Sequence, residues 1–130
     1  MIDGQCKLTD FGAAAQLSMR SKKGDINGTP LYMAPEACLG DATKASDVWS
    51  MAIMTVELLT GDVPYTAGQR GCDPFIPARF VYQLGHDETL VPTLPMGLSA
   101  SALSFVSGCL ERDETKRPTV EMLLAHEFLL

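Results

Sequence analysis

Two short runs and one distant arginine hold the residues best suited to chemistry. Asp10-Phe11-Gly12 sets a carboxylate at the end of an alternating stretch, with a glycine two positions on. A hard divalent cation prefers carboxylate oxygen and keeps several of its waters, so one or two such protein ligands suffice to hold it. Read alone, the triplet is also an ordinary polar turn from strand to loop. About two dozen residues later comes Gly28-Thr29-Pro30-Leu31-Tyr32-Met33-Ala34-Pro35-Glu36, a hydroxyl between glycine and proline followed by an acid at the end of the run. Arg117 stands about eighty residues further on, inside Asp113-Glu114-Thr115-Lys116-Arg117-Pro118-Thr119. By itself it reads as a surface residue ahead of a helix. Between them, Ser46-Asp47-Val48-Trp49-Ser50 offers Asp47 as a first-turn residue of a helix, where a carboxylate caps free backbone N–H groups and meets the positive end of the helix dipole.

In this order and at this spacing the motifs resemble the activation segment and following helices of a eukaryotic Ser/Thr protein kinase. The resemblance runs nearly from end to end and is weakest over residues 66–78. It implies that Asp10 holds the Mg²⁺ that bridges the phosphates of ATP. It also implies that Gly28, Thr29, Pro30 and Leu31 cradle the substrate residue after the phosphorylated hydroxyl. Thr29 would touch a catalytic Asp that this sequence does not contain, and a Thr at that place is typical of Ser/Thr rather than Tyr specificity. Glu36 and Arg117 would form a buried ion pair, and breaking such a pair costs about 3–5 kcal/mol. Asp47 would accept hydrogen bonds from the backbone of the catalytic loop, ahead of the structural Trp49 in a buried helix. Two positions depart from the pattern: Ala52 stands where the family has Gly, and Glu127 where its closing E-L-L-x-H-P-F-L has Pro. His126 reads as structural. The loop and tail are most similar to the MAP kinase kinase kinase branch.

The elements that must position these residues are mostly helical. Residues 5–9 alternate as a short strand does, with Cys6 and Leu8 on one face, and Asp3-Gly4 ahead of them is a turn signal. The partner strand of that hairpin is expected upstream of Met1. Residues 10–35 show no sustained period and read as a long exposed loop. A helix is expected from Ser46 or Asp47, apolar nearly all round from Val48 to Leu59 and capped by Gly61, with Pro64 blocking continuation. Pro77 to Gly85 predicts a short helix with Phe80, Val81 and Leu84 inward. Ser99 to Leu110 predicts another, burying Leu103, Val106 and Leu110 with Phe105 and Cys109 beside them. A last helix from Pro118 is expected to bury Val120, Leu123 and Leu124. The expected fold is mainly α: the C-terminal lobe of the protein kinase-like α+β fold, truncated, with a residual N-terminal strand. Residues 1–130 are then a partial kinase domain, with the activation segment at 10–36 and a helical lobe at 37–130.

Composition agrees with a folded chain. A hydrophobic content of 46% with 20% charged residues argues against disorder. The net charge of −6 leaves no overall basic face for nucleic acid or an anionic membrane. Cys6, Cys38, Cys72 and Cys109 form no C-x-x-C pair and do not suggest a zinc site. No apolar run is long enough to span a bilayer, since Val48 to Leu59 is short and contains Glu57. Reduced thiols and the lack of a secretory pattern point to a cytosolic or nuclear protein.

Phosphoryl transfer also needs a Gly-rich loop over the phosphates, a strand Lys paired with a helix Glu, and an H-R-D-x-x-x-x-N loop. None occurs in this sequence. The chain is therefore expected to be the C-terminal part of a Ser/Thr kinase and inactive alone, with ATP, Mg²⁺ and protein substrates as ligands of the complete domain. The alternative is a non-catalytic fragment that serves as an interaction module. Asp25 lies three residues before Gly28, where many kinases are phosphorylated, so a fixed carboxylate there would partly mimic phosphate. A solvated loop Asp is the simpler reading. Ser18 and Ser21 are the alternative phosphorylation sites.

Overall fold

The computed structural model describes residues 6–14, 26–65 and 76–130. Asp25, Ser18 and Ser21 lie outside them. Among the described residues there are five α-helices: α1 (Pro35–Cys38), α2 (Lys44–Thr60), α3 (Pro77–His86), α4 (Ala100–Cys109) and α5 (Val120–Leu124). Three 3₁₀ turns, Phe11–Ala13, Pro30–Tyr32 and Glu114–Lys116, lie between or beside them. The mainly helical expectation holds, with one correction. Residues 6–9 form no strand and Leu8 is 87% exposed. Backbone alternation makes a strand only when a second strand accepts its hydrogen bonds, and no strand is present among the described residues.

Helix α2 is the pillar. Trp49, Ala52, Ile53 and Val56 recur at helical spacing, and none is measurably exposed. Around them gather Phe80 and Leu84 of α3, Phe105, Val106 and Cys109 of α4, Leu90, and Leu123 of α5. The helix starts earlier than its sequence suggests, at Lys44. Thr43 precedes it, and the Ser46 hydroxyl accepts from the Thr43 backbone N–H at 2.9 Å. That use of a hydroxyl three residues in is a capping arrangement that leaves Asp47 in the first turn, exposed and not at the cap. The other end stops at Gly61, whose φ of 85° is left-handed and whose N–H donates to Glu57 O at 2.7 Å.

The apolar surface of α2 is not buried all round. Met54, Leu58 and Leu59 are exposed, Leu58 by 78%. These lie toward its C-terminal end, whereas the packed residues come from one stripe. Similar corrections apply to α4, where Leu103 is exposed, and to α5, where Leu123 is buried but Val120 and Leu124 are not. Helix α5 begins at Val120, after Thr119, whose hydroxyl accepts from Met122 N–H at 3.3 Å. Pro118 precedes the cap.

Helix α3 begins at Pro77 and buries Phe80 and Leu84 as its spacing predicts. Phe80 meets Tyr65 edge to face at 4.9 Å between ring centres. Gly85, near its end, allows a close approach: a Cβ there would sit 2.9 Å from Leu39 Cδ2 and 3.4 Å from Cys38 Cβ. Helix α1 thus rests directly on α3.

The packing separates two neighbouring aromatic residues of the same helix. Phe80→Ala removes a fully buried ring and should cost about 3–5 kcal/mol in chemical denaturation. Tyr82→Ala, at an exposed position, should stay within about 0.5 kcal/mol of the parent. Equal losses for the two would contradict the assigned face of α3.

Candidate functional site

The segment from Ile26 to Asp41 lies against α2, α3 and the loop after α4. Its anchor is Glu36, in the first turn of α1. Arg117 Nη1 donates to Glu36 Oε1 at 2.6 Å and Nη2 to Oε2 at 2.8 Å, a two-pronged pair between residues 81 apart in sequence. The Arg117 side chain is fully buried and that of Glu36 is 14% exposed. The remaining guanidinium protons go to backbone carbonyls: Nε to Glu111 O at 2.7 Å, Nη1 to Ala45 O at 2.8 Å, Nη2 to Arg112 O at 3.3 Å. All five N–H donors of the arginine are therefore used. Its charge also lies 5.1 Å from the centre of the Trp49 ring, within cation–π range.

Glu36 is further held by Ser46, whose hydroxyl donates to Oε1 at 2.6 Å while accepting from Thr43 N–H. The Thr43 hydroxyl donates to Glu114 Oε2 at 3.0 Å, which brings in the 3₁₀ turn before Arg117. Burial pushes the Glu36 carboxyl up, but the hydrogen bonds from Arg117 and Ser46 and the adjacent charge outweigh it, and its pKa is lowered. The result is a carboxylate that stays ionised in a half-buried place. Ser46 does not stand out in the sequence as a partner of Glu36, nor Thr43 as a partner of Glu114. The only available signal is a hydroxyl at the third position of a helix.

The turn Pro30–Tyr32 is joined to α2 as well. The Tyr32 hydroxyl donates to Glu57 Oε2 at 2.7 Å, and the Ser50 hydroxyl donates to Tyr32 O at 2.7 Å. The hydrogen bond to Glu57, with burial and its charge, raises the Tyr32 pKa. Gly28 has a φ of 132°, a region that favours glycine, and Met33 Cγ lies 3.4 Å from where a Cβ would stand. Gly28 and Thr29 are exposed, while Pro30 and Leu31 are half-buried. Arg112, another residue not evident in the sequence, donates from Nη1 to Leu90 O at 2.7 Å and from Nη2 to Leu84 O at 2.8 Å. It thereby ties the end of α3 to the loop after α4.

Asp10 stands apart from this network. It is exposed and has φ 60° and ψ 60°, a left-handed conformation shared by no other non-glycine residue among those described. Such outliers in non-glycine residues concentrate at functional sites. Mg²⁺ is commonly bound by one or two carboxylates together with substrate phosphates, so Asp10 fits a single-ligand role. No group of three His, Cys, Asp or Glu side chains able to hold a metal occurs among the described residues.

Beside the segment runs an open groove of about 450 Å³, lined by Ile26, Pro30 and Cys38 on one side and Val81, Tyr82 and His86 of α3 on the other. Its walls are almost entirely apolar. Burial pushes the Cys38 thiol up to about 11, and likewise that of Cys109. Both remain protonated near neutrality, so neither serves as a thiolate nucleophile.

The family model described as "Protein kinase domain" matches residues 1–129. Among curated relatives, the chain is 35% identical over 129 residues to mitogen-activated protein kinase kinase kinase 18 of Arabidopsis thaliana. It is 38% identical over 130 residues to serine/threonine-protein kinase PAK 1 of Mus musculus. Each alignment covers 98% of this chain but only 36% and 23% of those proteins, so the chain spans about a third or less of their length.

The Glu36 geometry fixes a pH dependence. A carboxyl whose folded pKa is lowered contributes stability that is present above its unfolded value and is lost as pH falls through the folded one. Stability should therefore drop below the ordinary glutamate range, under about pH 4.3. Glu36→Gln should cost about 3–5 kcal/mol at neutral pH and should weaken that acid dependence. Denaturation curves of parent and variant at several pH values check this. The same acid slope in both would contradict it.

Proposed function

The chain belongs to the protein kinase domain family, and on that premise we propose that it is the C-terminal part of a Ser/Thr protein kinase, which transfers the γ-phosphoryl of ATP to protein Ser or Thr hydroxyls. Residues 10–36 act as the activation segment and 37–130 as the helical lobe beneath it. The observation that carries the reading is the Glu36–Arg117 pair. It ties the end of the Gly28–Glu36 run to the segment after α4, while Gly28 and Thr29 face solvent, where a peptide can reach them.

In this reading Gly28, Thr29, Pro30 and Leu31 bind the substrate backbone and the residue after the acceptor hydroxyl. Asp10 holds the magnesium ion, which when bound neutralises charge on the phosphates of ATP. The left-handed backbone at Asp10 supports a preset orientation of its carboxylate. Asp47, exposed in the first turn of α2, is free to accept hydrogen bonds from a catalytic loop. Names of the relatives support Ser/Thr specificity, as does the hydroxyl at Thr29.

The sequence holds no H-R-D-x-x-x-x-N and no Gly-rich loop, so the 130 residues alone lack a base to orient the acceptor. We expect no phosphate transfer from this polypeptide by itself. Joined in frame to the preceding half of a related kinase, it should phosphorylate Ser and Thr peptides but not Tyr peptides. In that chimera Asp10→Asn should lower kcat at least about a hundredfold. Transfer proportional to the concentration of the purified chain would contradict the first expectation. An unchanged rate in the Asp10→Asn chimera would contradict the role of Asp10.

A further inference from the structure

Asn27 is the only asparagine of the chain, and Gly28 follows it. An Asn-Gly pair is prone to react with itself. The glycine nitrogen attacks the side-chain amide carbon of the asparagine, a succinimide ring closes, and ammonia leaves. A Cβ on the second residue crowds that attack, and glycine has none. A fold suppresses the reaction when it buries the pair or holds its amide groups in hydrogen bonds.

Here the fold does neither. Asn27 and Gly28 are exposed, and among the described residues neither the Asn27 side chain nor the Gly28 N–H has a hydrogen-bond partner. Regular bonds begin just after the pair, where Tyr32 N–H donates to Thr29 O at 3.0 Å and Met33 N–H to Pro30 O at 3.2 Å. Just before it, Ile26 stands at the apolar groove beside α3. The Asn27–Gly28 link therefore joins two placed points, the groove wall and the 3₁₀ turn. Gly28 also lies close over the buried Met33 side chain, since a Cβ on it would stand 3.4 Å from Met33 Cγ.

We propose that Asn27–Gly28 is a site of spontaneous covalent modification, where deamidation rebuilds the main chain directly ahead of Thr29. In the first step the Gly28 nitrogen bonds to Asn27 Cγ and the Cγ–Nδ2 bond breaks, the glycine proton leaving with the amide nitrogen as ammonia. Water then opens the ring at either carbonyl and returns a proton to the Gly28 nitrogen. Opening at Cγ gives an ordinary aspartate. Opening at the main-chain carbonyl gives an isoaspartyl link, in which the chain runs through Cβ and Cγ and the former main-chain carbonyl becomes a free carboxylate. Both products gain a negative charge, and no oxidant or reductant is involved. The isoaspartyl product also lengthens the main chain by one carbon–carbon bond, about 1.5 Å. Between two placed points, that excess moves Gly28 off Met33 and loosens the turn that follows. The inference stands on residues 26–33 and does not depend on the substrate-segment reading.

The test follows the 130-residue chain at neutral pH and physiological temperature, by mass spectrometry of its tryptic peptide 24–44. That peptide should gain about one mass unit as NH is exchanged for O, at a rate within about tenfold of the same free synthetic peptide. The product should accept a labelled methyl group from S-adenosylmethionine with an isoaspartyl methyltransferase. Asn27→Gln should gain no mass in the same period. Asp3-Gly4 can form the same link by losing and regaining water, but without a change of mass and on another tryptic peptide. Conversion more than about tenfold slower than in the free peptide overturns the site. In the purified isoaspartyl form, amide exchange at Tyr32 and Met33 should quicken about tenfold while Ile53 and Val56 keep their protection. Freshly prepared Asn27→Asp, which adds the charge without lengthening the chain, should exchange as the parent does. Unchanged exchange in the isoaspartyl form, or an equal rise in Asn27→Asp, overturns the displacement of the turn.

Discussion

A buried guanidinium is tolerable only when every proton it carries has an acceptor and its charge has a counter-ion. Arg117 meets that condition with one carboxylate and three backbone carbonyls, drawn from three separate parts of the chain. Glu36 comes from α1, Ala45 from the first turn of α2, and Glu111 and Arg112 from the loop after α4. Removing any one of those parts would leave a charged donor without a partner. The arginine therefore imposes a fixed relation on elements that the chain brings together from far apart. Its contact with the Trp49 ring extends the constraint into the core.

From that point the architecture follows outward. Because Glu36 is fixed, helix α1 is fixed, and Gly85 lets α3 approach it closely enough to form the apolar groove wall. Arg112 repeats the logic on a smaller scale by tying the end of α3 to Leu90. Ser46 serves two purposes, capping α2 and supporting the Glu36 carboxylate. The Gly28–Glu36 run is thus held at one end by an ion pair and in its middle by Tyr32. What faces solvent before the turn, at Gly28 and Thr29, is backbone and small side chains; under the proposed function this is where the substrate peptide would lie.

Much of this was legible in the residues. The interior of α2, the Gly61 stop and the inward Phe80 and Leu84 follow from helical spacing and cap chemistry. The pairing of Glu36 with Arg117 was reached through resemblance to a family, because no local rule links residues so far apart. What escaped was tertiary or dependent on pairing. Residues 6–9 alternate like a strand, yet alternation carries no information about whether a partner strand is there. Leu103, Val120 and Leu124 have the right spacing to face inward, but each short helix buries only the part of its stripe that meets a neighbour. The Ser46, Tyr32–Glu57 and Arg112 contacts use common polar residues whose partners are set by the fold.

Whether Glu36 and Arg117 form one coupled unit holding the segment to the lobe is decided by a double-mutant cycle. Arg117→Met, Glu36→Leu and the double variant would be compared by chemical denaturation at neutral pH. Each single change should leave a buried charge unpaired, and the double variant should be less destabilised than the two losses summed, by about 2 kcal/mol or more. Losses that simply add would contradict that coupling.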